Sequence, residues 1–229
     1  MFSKKCTYLV EELKEEFFDK VNGYVEEQRN NGMKASTVIH KMDEHGWIEK
    51  TGQWEPTGTS KWEEPLYRKD LESLRDCKVC WFPTNKDDEK TEEFYKLFKG
   101  IGLWVNENPT GWFFDLSHIE DIQYTEYTEG QHYDWHIDTN VDDLAKVRKI
   151  SFVVLLGDEF EGGELQIETR PELSKKEKEK FPNGLRYDTI PLKPGCIVFF
   201  HSDLPHRVTP VTSGVRRTLV GWFAGPHFK

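Results

Sequence analysis

The sequence predicts a mainly β chain with helices at its N-terminal end, an α+β arrangement, and three observations predict it. Beyond about residue 110 the chain breaks into short apolar runs separated by turn residues at even spacing, the pattern of an all-β barrel or sandwich. Ahead of them stand two stretches whose apolar residues recur at helical spacing. Finally, 229 residues suit a single medium core, and no internal repeat or linker-like tract divides them. The whole chain, 1–229, is therefore expected to be one domain, with 1–110 a helical support region and 111–229 the β core.

Taken in order, Leu13, Phe17, Val21 and Val25 lie four apart between Leu9 and Arg29 with charges between them, which predicts an amphipathic helix stopped by Asn31-Gly32. Residues 43–69 have no sustained period, carry Trp47, Trp54 and Trp62, and contain glycines and prolines, so a long loop or short hairpin is expected. "KVCWF" reads as a short strand. "DDEKTEEFYKLFKGIGLWVNEN" opens with acids and sets Phe94, Leu97, Phe98 and Ile101 on one helical stripe. The β region then offers "WFFDL", "IQYTEY", "HYDWHID", "KISFVVLLG", "GELQIE", "DTIPL", "GCIVFFH", "HRVTPV" and "RRTLVGWFA". The lysine-rich interruption "TRPELSKKEKEKFPNG" reads as a solvated loop or short surface helix.

Composition narrows the function. A net charge of -10, from 41 acidic and 31 basic residues, argues against general attraction to nucleic acid or to anionic membranes. No apolar stretch approaches the ~20 residues that span a bilayer, and the first residues interrupt their apolar positions with charges too often for a signal peptide. Four cysteines are too few for a disulfide scaffold, which fits a reducing compartment, so a cytoplasmic location is expected. The pair Cys77 and Cys80 forms a CxxC, but residues three apart on a strand face opposite ways and could not readily grip one ion. "EGGEL", 161–165, reads as a tight turn in which glycine gives backbone freedom.

The chemistry gathers around "HYDWHID". On a strand, His136 and Asp138 project to one face as a two-armed chelate, and so in principle do His132 and Asp134. Two imidazoles and a carboxylate on one face of an octahedral ion leave three positions open, the arrangement used by non-haem Fe(II) oxygenases. A His-x-Asp triplet alone is weak, since "HSD", 201–203, is another. The first pair is favoured because it leaves enough chain for a returning strand, with His201, His206 and His227 as candidates for a third ligand. Ten residues beyond His206 stands Arg216, which shares a strand face with Thr218, Val220 and Trp222. An inward arginine needs an anion, and a dicarboxylate cosubstrate would supply one in bidentate form.

Three stretches, "YTEGQHYDWHID", "RKISFVVLLGDEFEGGEL" and "GCIVFFHSDLPHRVTPVTSGVRRTLVGW", resemble the Fe(II)- and 2-oxoglutarate-dependent dioxygenases of the prolyl 4-hydroxylase-like group, especially the bacterial PKHD-type hydroxylases. "RDCKVCWF" and "VNENPTGWFFDLSHIEDIQYTEY" extend the resemblance to roughly residues 75–225. It implies a double-stranded β-helix, a cupin-like jelly roll with helices on one sheet. It also implies His136, Asp138 and His206 as the iron ligands and Arg216 as the residue holding the distal carboxylate of 2-oxoglutarate. Tyr127, nine residues before His136, is similar to a tyrosine that assists that carboxylate. Trp222 and Tyr133 match aromatic residues beside the substrate. The implied reaction couples oxidative decarboxylation of 2-oxoglutarate by O2, giving succinate, to hydroxylation of a C-H bond, with ascorbate as an accessory. The implied partner is a proline-containing peptide or protein, with a free amino acid or other small molecule as the alternative. Bland readings stand beside these: a polar strand and a turn histidine for the ligands, a surface ion pair for Arg216, core packing for the aromatics, and a non-catalytic jelly-roll binding module for the whole.

Overall fold

The computed structural model describes residues 7–30, 36–37, 47–50, 53–56, 75–84, 88–139, 146–169 and 187–227. In chain order its elements begin with β1 (Tyr8–Glu12), α1 (Glu15–Asn30), β2 (Ser36–Thr37), β3 (Trp47–Lys50), β4 (Gln53–Pro56), β5 (Arg75–Asp76) and β6 (Lys78–Phe82). Next come α2 (Glu89–Glu107), β7 (His118–Ile119), β8 (Ile122–Tyr127), β9 (His132–His136), β10 (Val147–Leu155), β11 (Phe160–Gly162) and β12 (Leu165–Glu168). The last are β13 (Tyr187–Thr189), β14 (Cys196–His201), β15 (His206–Val208), β16 (Val211–Gly214) and β17 (Arg216–Gly225).

From β8 onward the chain alternates between two facing antiparallel sheets. The major sheet runs β1-β14-β10-β17-β8-β6-β2 with β7 on β17, and the minor sheet runs β13-β12-β15-β9-β5. Strands β8, β10, β14 and β17 join the first, while β9, β12, β13 and β15 join the second, which is the winding of a double-stranded β-helix. Burial explains the sequence texture. Phe152, Val154, Ile197 and Phe199 pack outward against Val21, Val25, Phe94 and Phe98 of the two helices. Their neighbours Val153, Val198 and Phe200 point inward to Leu165, Ile167 and Val208 of the minor sheet. Strands β10 and β14 are buried on both faces, so they read as unbroken apolar runs rather than alternating ones. Cys77 and Cys80 likewise fall into different clusters.

Three expected elements differ. Residues 8–12 are not the first turns of the helix but an edge strand, with Leu9 paired to Phe199 and Glu12 to Cys196. The helix starts at Glu15. "WFFDL" forms no strand: the Asn106 amide at the end of α2 donates to Phe114 O and accepts from Phe114 N, tying this segment to the helix. Only Asp188 and Thr189 of "DTIPL" lie in a strand. In the Trp-rich segment, β3 and β4 form the hairpin alternative, with Trp47 opposite Pro56. The remainder of that segment, including Trp62, and most of the lysine-rich interruption lie outside the described residues. The first 110 residues also supply strands to both sheets, through β1 and β6 on one side and β5 on the other.

Candidate metal centre

Three chemistry-bearing side chains meet between the sheets. His136 ends β9 and His206 begins β15, and these strands pair so that the two histidines stand directly opposite each other. Asp138 follows β9 in a short segment held to β14's end by Asp138 N and Thr139 N, which both donate to Ser202 O. One ligand atom from each of the three lies within 4.8 Å of the others. Asp138 Oδ2 is 3.4 Å from His206 Nε2, and Oδ1 is 3.7 Å from His136 Nε2. Donors ~2.1 Å from one ion at right angles would stand about 3 Å apart, so these spacings suit a shared ion after slight contraction.

Both imidazoles are oriented from behind. His136 Nδ1 donates to Asp134 O at 2.7 Å and His206 Nδ1 to Leu204 O at 2.9 Å. A carbonyl can only accept, so each ring carries a proton on Nδ1 and turns Nε2 towards the site. Burial, and then the neighbouring His206, lower the pKa of His136 to about 3. Asp138 also falls below the usual carboxylate range. Burial pushes it up, but the facing His206 and His136 outweigh that. Ser151 Oγ donates to Asp138 Oδ2 at 2.7 Å. The site therefore offers two imidazole nitrogens and a carboxylate, a donor set that a divalent metal takes.

A bulge sets which residues of β9 face inward. Across β15, His206 pairs with His136 but Val208 pairs with Tyr133, so β9 carries an extra residue between them. Simple alternation expects His132 and Asp134 to share the inward face with the metal pair, and the structure corrects this. Tyr133 turns in and stacks on His136 at 3.4 Å, while Asp134 is exposed.

The same cavity, about 230 Å³, is lined by Arg216, Thr218, Val220 and Trp222 along one face of β17. Arg216 is 2% exposed and pairs in register with Tyr127 across β8. Burial lowers its pKa to about 10, so it remains a cation, and no described carboxylate forms an ion pair with it. Room for it comes from Gly163, where a Cβ would meet Arg216 Cδ at 2.8 Å. Burial raises the pKa of Tyr127, leaving it a neutral hydrogen-bonding group. Thr218 Oγ1 and Trp222 Nε1 are buried without a hydrogen-bond partner in good geometry, although the indole lies close enough to Asp138 to help keep it ionised. An unpaired guanidinium and orphaned polar atoms around one cavity fit a polar, anionic ligand. The other candidate ligands are elsewhere: His201 lies edge-on to Trp112 and Phe114 at 4.6 and 4.9 Å.

Several lining residues carry no sequence signal of their own. Arg75 on β5 lies 4.5 Å over the Tyr133 ring, and Arg148 lies 3.9 Å over Trp222 while holding Glu120 through three hydrogen bonds. Trp81 approaches Trp222 at 5.9 Å. Ser151 and Gln123 complete the polar floor. The resemblance covered this wall only as whole stretches, Arg75 and Trp81 in "RDCKVCWF", Arg148 and Ser151 in "RKISFVVLLGDEFEGGEL", without singling out these residues.

Comparison with known proteins agrees with this geometry. Residues 122–224 match the family described as the 2OG-Fe(II) oxygenase superfamily. A PKHD-type hydroxylase of Synechococcus sp. (strain CC9605) is 33% identical over 106 residues, 45% of this chain and 41% of that protein. Another from Hyphomonas neptunium is 38% identical over 99 residues, 41% of this chain and 38% of that protein. The chain thus matches less than half the length of these two relatives. A prolyl-4-hydroxylase structure from Pseudomonas putida superimposes with a TM-score of 0.60 at 18% identity, covering 95% of this chain and 91% of that one. So does a Trichoplax adhaerens prolyl hydroxylase in complex with a hypoxia inducible factor peptide fragment, at 0.60 and 13% identity over 95% and 83%. These neighbours share the double-stranded β-helix.

Proposed function

We propose that this chain, whose residues 122–224 match the 2OG-Fe(II) oxygenase superfamily, is a 2-oxoglutarate- and Fe(II)-dependent hydroxylase. The observation that carries the reading is one cavity holding the His136, Asp138 and His206 donors together with the unpaired Arg216 guanidinium. In this reading His136, Asp138 and His206 would hold Fe(II), and Arg216, with Tyr127 opposite it, would grip the distal carboxylate of 2-oxoglutarate. When bound, the iron and 2-oxoglutarate supply the oxidising chemistry with O2, and ascorbate keeps the metal reduced.

The chain's own residues do the rest. His136 and His206, fixed by backbone carbonyls, present their lone pairs without reorganisation. Ser151 keeps Asp138 oriented. Val153, Leu165 and Val208 line the cavity with apolar surface that excludes water. Trp222 and Tyr133 flank the place left for substrate, and Arg148 and Trp81 pack onto Trp222 at its mouth.

For substrate we favour a prolyl group in a peptide or protein, a choice supported by the likeness to the two prolyl hydroxylase structures and by the flat aromatic walls. The whole chain, 1–229, serves as the catalytic unit in this reading. The free thiols Cys77, Cys80 and Cys196 support a cytoplasmic setting, and no described helix is long and apolar enough to cross a membrane. The test is succinate release from 2-oxoglutarate with Fe(II), ascorbate and proline-containing peptides. Wild type should release succinate and His136→Ala should lose it by more than 100-fold. No metal-dependent binding of 2-oxoglutarate by the wild-type protein would overturn the reading.

A further inference from the structure

We infer that the cavity receives a second anion besides the cosubstrate carboxylate assigned to Arg216, and that Arg75 binds it as a carboxylate of the substrate. The inference rests on the oxygenase reading above and names the substrate class for it. Arg75 projects from β5 beside β9. Its Nε donates to Cys77 Sγ at 3.2 Å and its Nη2 to Gln123 Oε1 at 2.7 Å, both uncharged acceptors. No described carboxylate forms an ion pair with it. The two bonds occupy one side of the guanidinium and leave Nη1, with the edge it shares with Nη2, without a described partner. That edge is the fork a carboxylate accepts in bidentate form.

Charge around the cavity points the same way. Three arginines line it, Arg75, Arg148 and Arg216, against the single carboxylate of Asp138. Arg148 is neutralised by Glu120. Asp138 faces the two histidines and is taken by the metal. A dicarboxylate cosubstrate, with one end on the metal and the other on Arg216, has no carboxylate left for Arg75. Arg75 is part-buried at the cavity wall with its open edge facing no described anion, and the second reactant is the source that can supply one there.

Position fixes which part of that reactant is charged. Arg75 lies on the Tyr133 ring and Tyr133 lies on His136, so the guanidinium is no further from the metal ligand than two stacking distances of 4.5 and 3.4 Å end to end. A carboxylate gripped there would stand within about two residues' length of the metal ligand His136. A proline inside a peptide chain presents a neutral amide at that point and cannot fill both arms of the fork. The prolyl substrate is therefore one that keeps its own carboxylate, free or at a peptide C-terminus.

The test uses the full chain loaded with Mn(II) and 2-oxoglutarate, with N-acetyl-L-proline and N-acetyl-L-prolinamide as calorimetric probes. Wild type should bind the carboxylate at least about 10-fold tighter than the amide. Arg75→Gln should weaken the carboxylate on the order of 30-fold, leaving the amide and 2-oxoglutarate affinities in place, while Arg75→Lys keeps part of the preference. Equal affinities in wild type, no binding of the carboxylate probe, or a preference that survives Arg75→Gln would each overturn the assignment. Loss of 2-oxoglutarate binding in both Arg75 variants would also overturn it, by showing that the residue serves the fold or the cosubstrate. Failure of wild type to bind 2-oxoglutarate with Mn(II) is a separate outcome that removes the oxygenase reading itself.

Discussion

At the scale of single residues, the site depends on a hydroxyl that is not itself one of the three ligands but holds one of them. Ser151 is fully buried on β10, donates to Asp138 Oδ2 at 2.7 Å and lies 2.9 Å from Ser202 Oγ. Alanine at this position removes one oxygen and little volume, so the strand should persist while Asp138 gains freedom to rotate. Ser151→Ala should weaken Mn(II) binding by about 10- to 100-fold with a thermal midpoint close to wild type, read by metal titration and thermal unfolding. Unchanged metal affinity would show that the backbone alone orients Asp138. Strand spacing made His136 and Asp138 legible in the sequence but left His201, His206 and His227 open as the third ligand; through the family resemblance His206 and Arg216 were legible too. Ser151 and Arg75 were not. Their meaning comes from sheet register, which sets Ser151 opposite Phe200 and Arg75 opposite Tyr133, and no local pattern marks a serine or an arginine for such a place.

At the scale of elements, patterning gave the helices and most strands but failed where two periods coincide or where one is interrupted. Leu9 and Leu13 extend the four-residue stripe of α1 backwards, yet residues 8–12 serve better as an edge strand, because β14 would otherwise expose its backbone on that side. In β9 the bulge swaps inward and outward positions, which alternation cannot foresee. Helix α2 offers a sharper test, since propensity treats its two interior glycines alike. A Cβ on Gly100 meets nothing within 4 Å, whereas one on Gly102 would meet Phe223 Cζ at 2.1 Å. Gly100→Ala should therefore stabilise the protein by roughly 0.5 to 1 kcal/mol through helix propensity. Gly102→Ala should destabilise it by about 1 to 3 kcal/mol, because the helix must back away from the sheet. Urea unfolding of the two variants checks this, and equal effects would mean that α2 does not seat on β17 as described.

At the scale of the whole molecule, the fold gathers two histidines and a carboxylate into one interior, and that concentration makes metal-free stability depend on pH. His136 has a folded pKa of about 3, below its ordinary value of 6.5, chiefly through burial and then through His206. Between those values the unfolded chain takes up a proton that the folded chain refuses, so stability falls as pH drops through that window, by at most about 1.4 kcal/mol per pH unit. Asp138 acts in the same sense lower down: burial would raise its pKa, but His206 and His136 hold it below the ordinary 3.8, so its contribution is present above that value and lost as pH falls through the folded one. A bound divalent ion should lift the midpoint at neutral pH and steepen the acid loss, since protons compete for the same lone pairs. Thermal midpoints of the metal-free protein from pH 7 to pH 4 should therefore fall more steeply for wild type than for His136→Gln, whose amide cannot titrate. Parallel slopes would show that His136 keeps its ordinary pKa in the folded chain, so that burial does not hold it neutral on the acid side of that value.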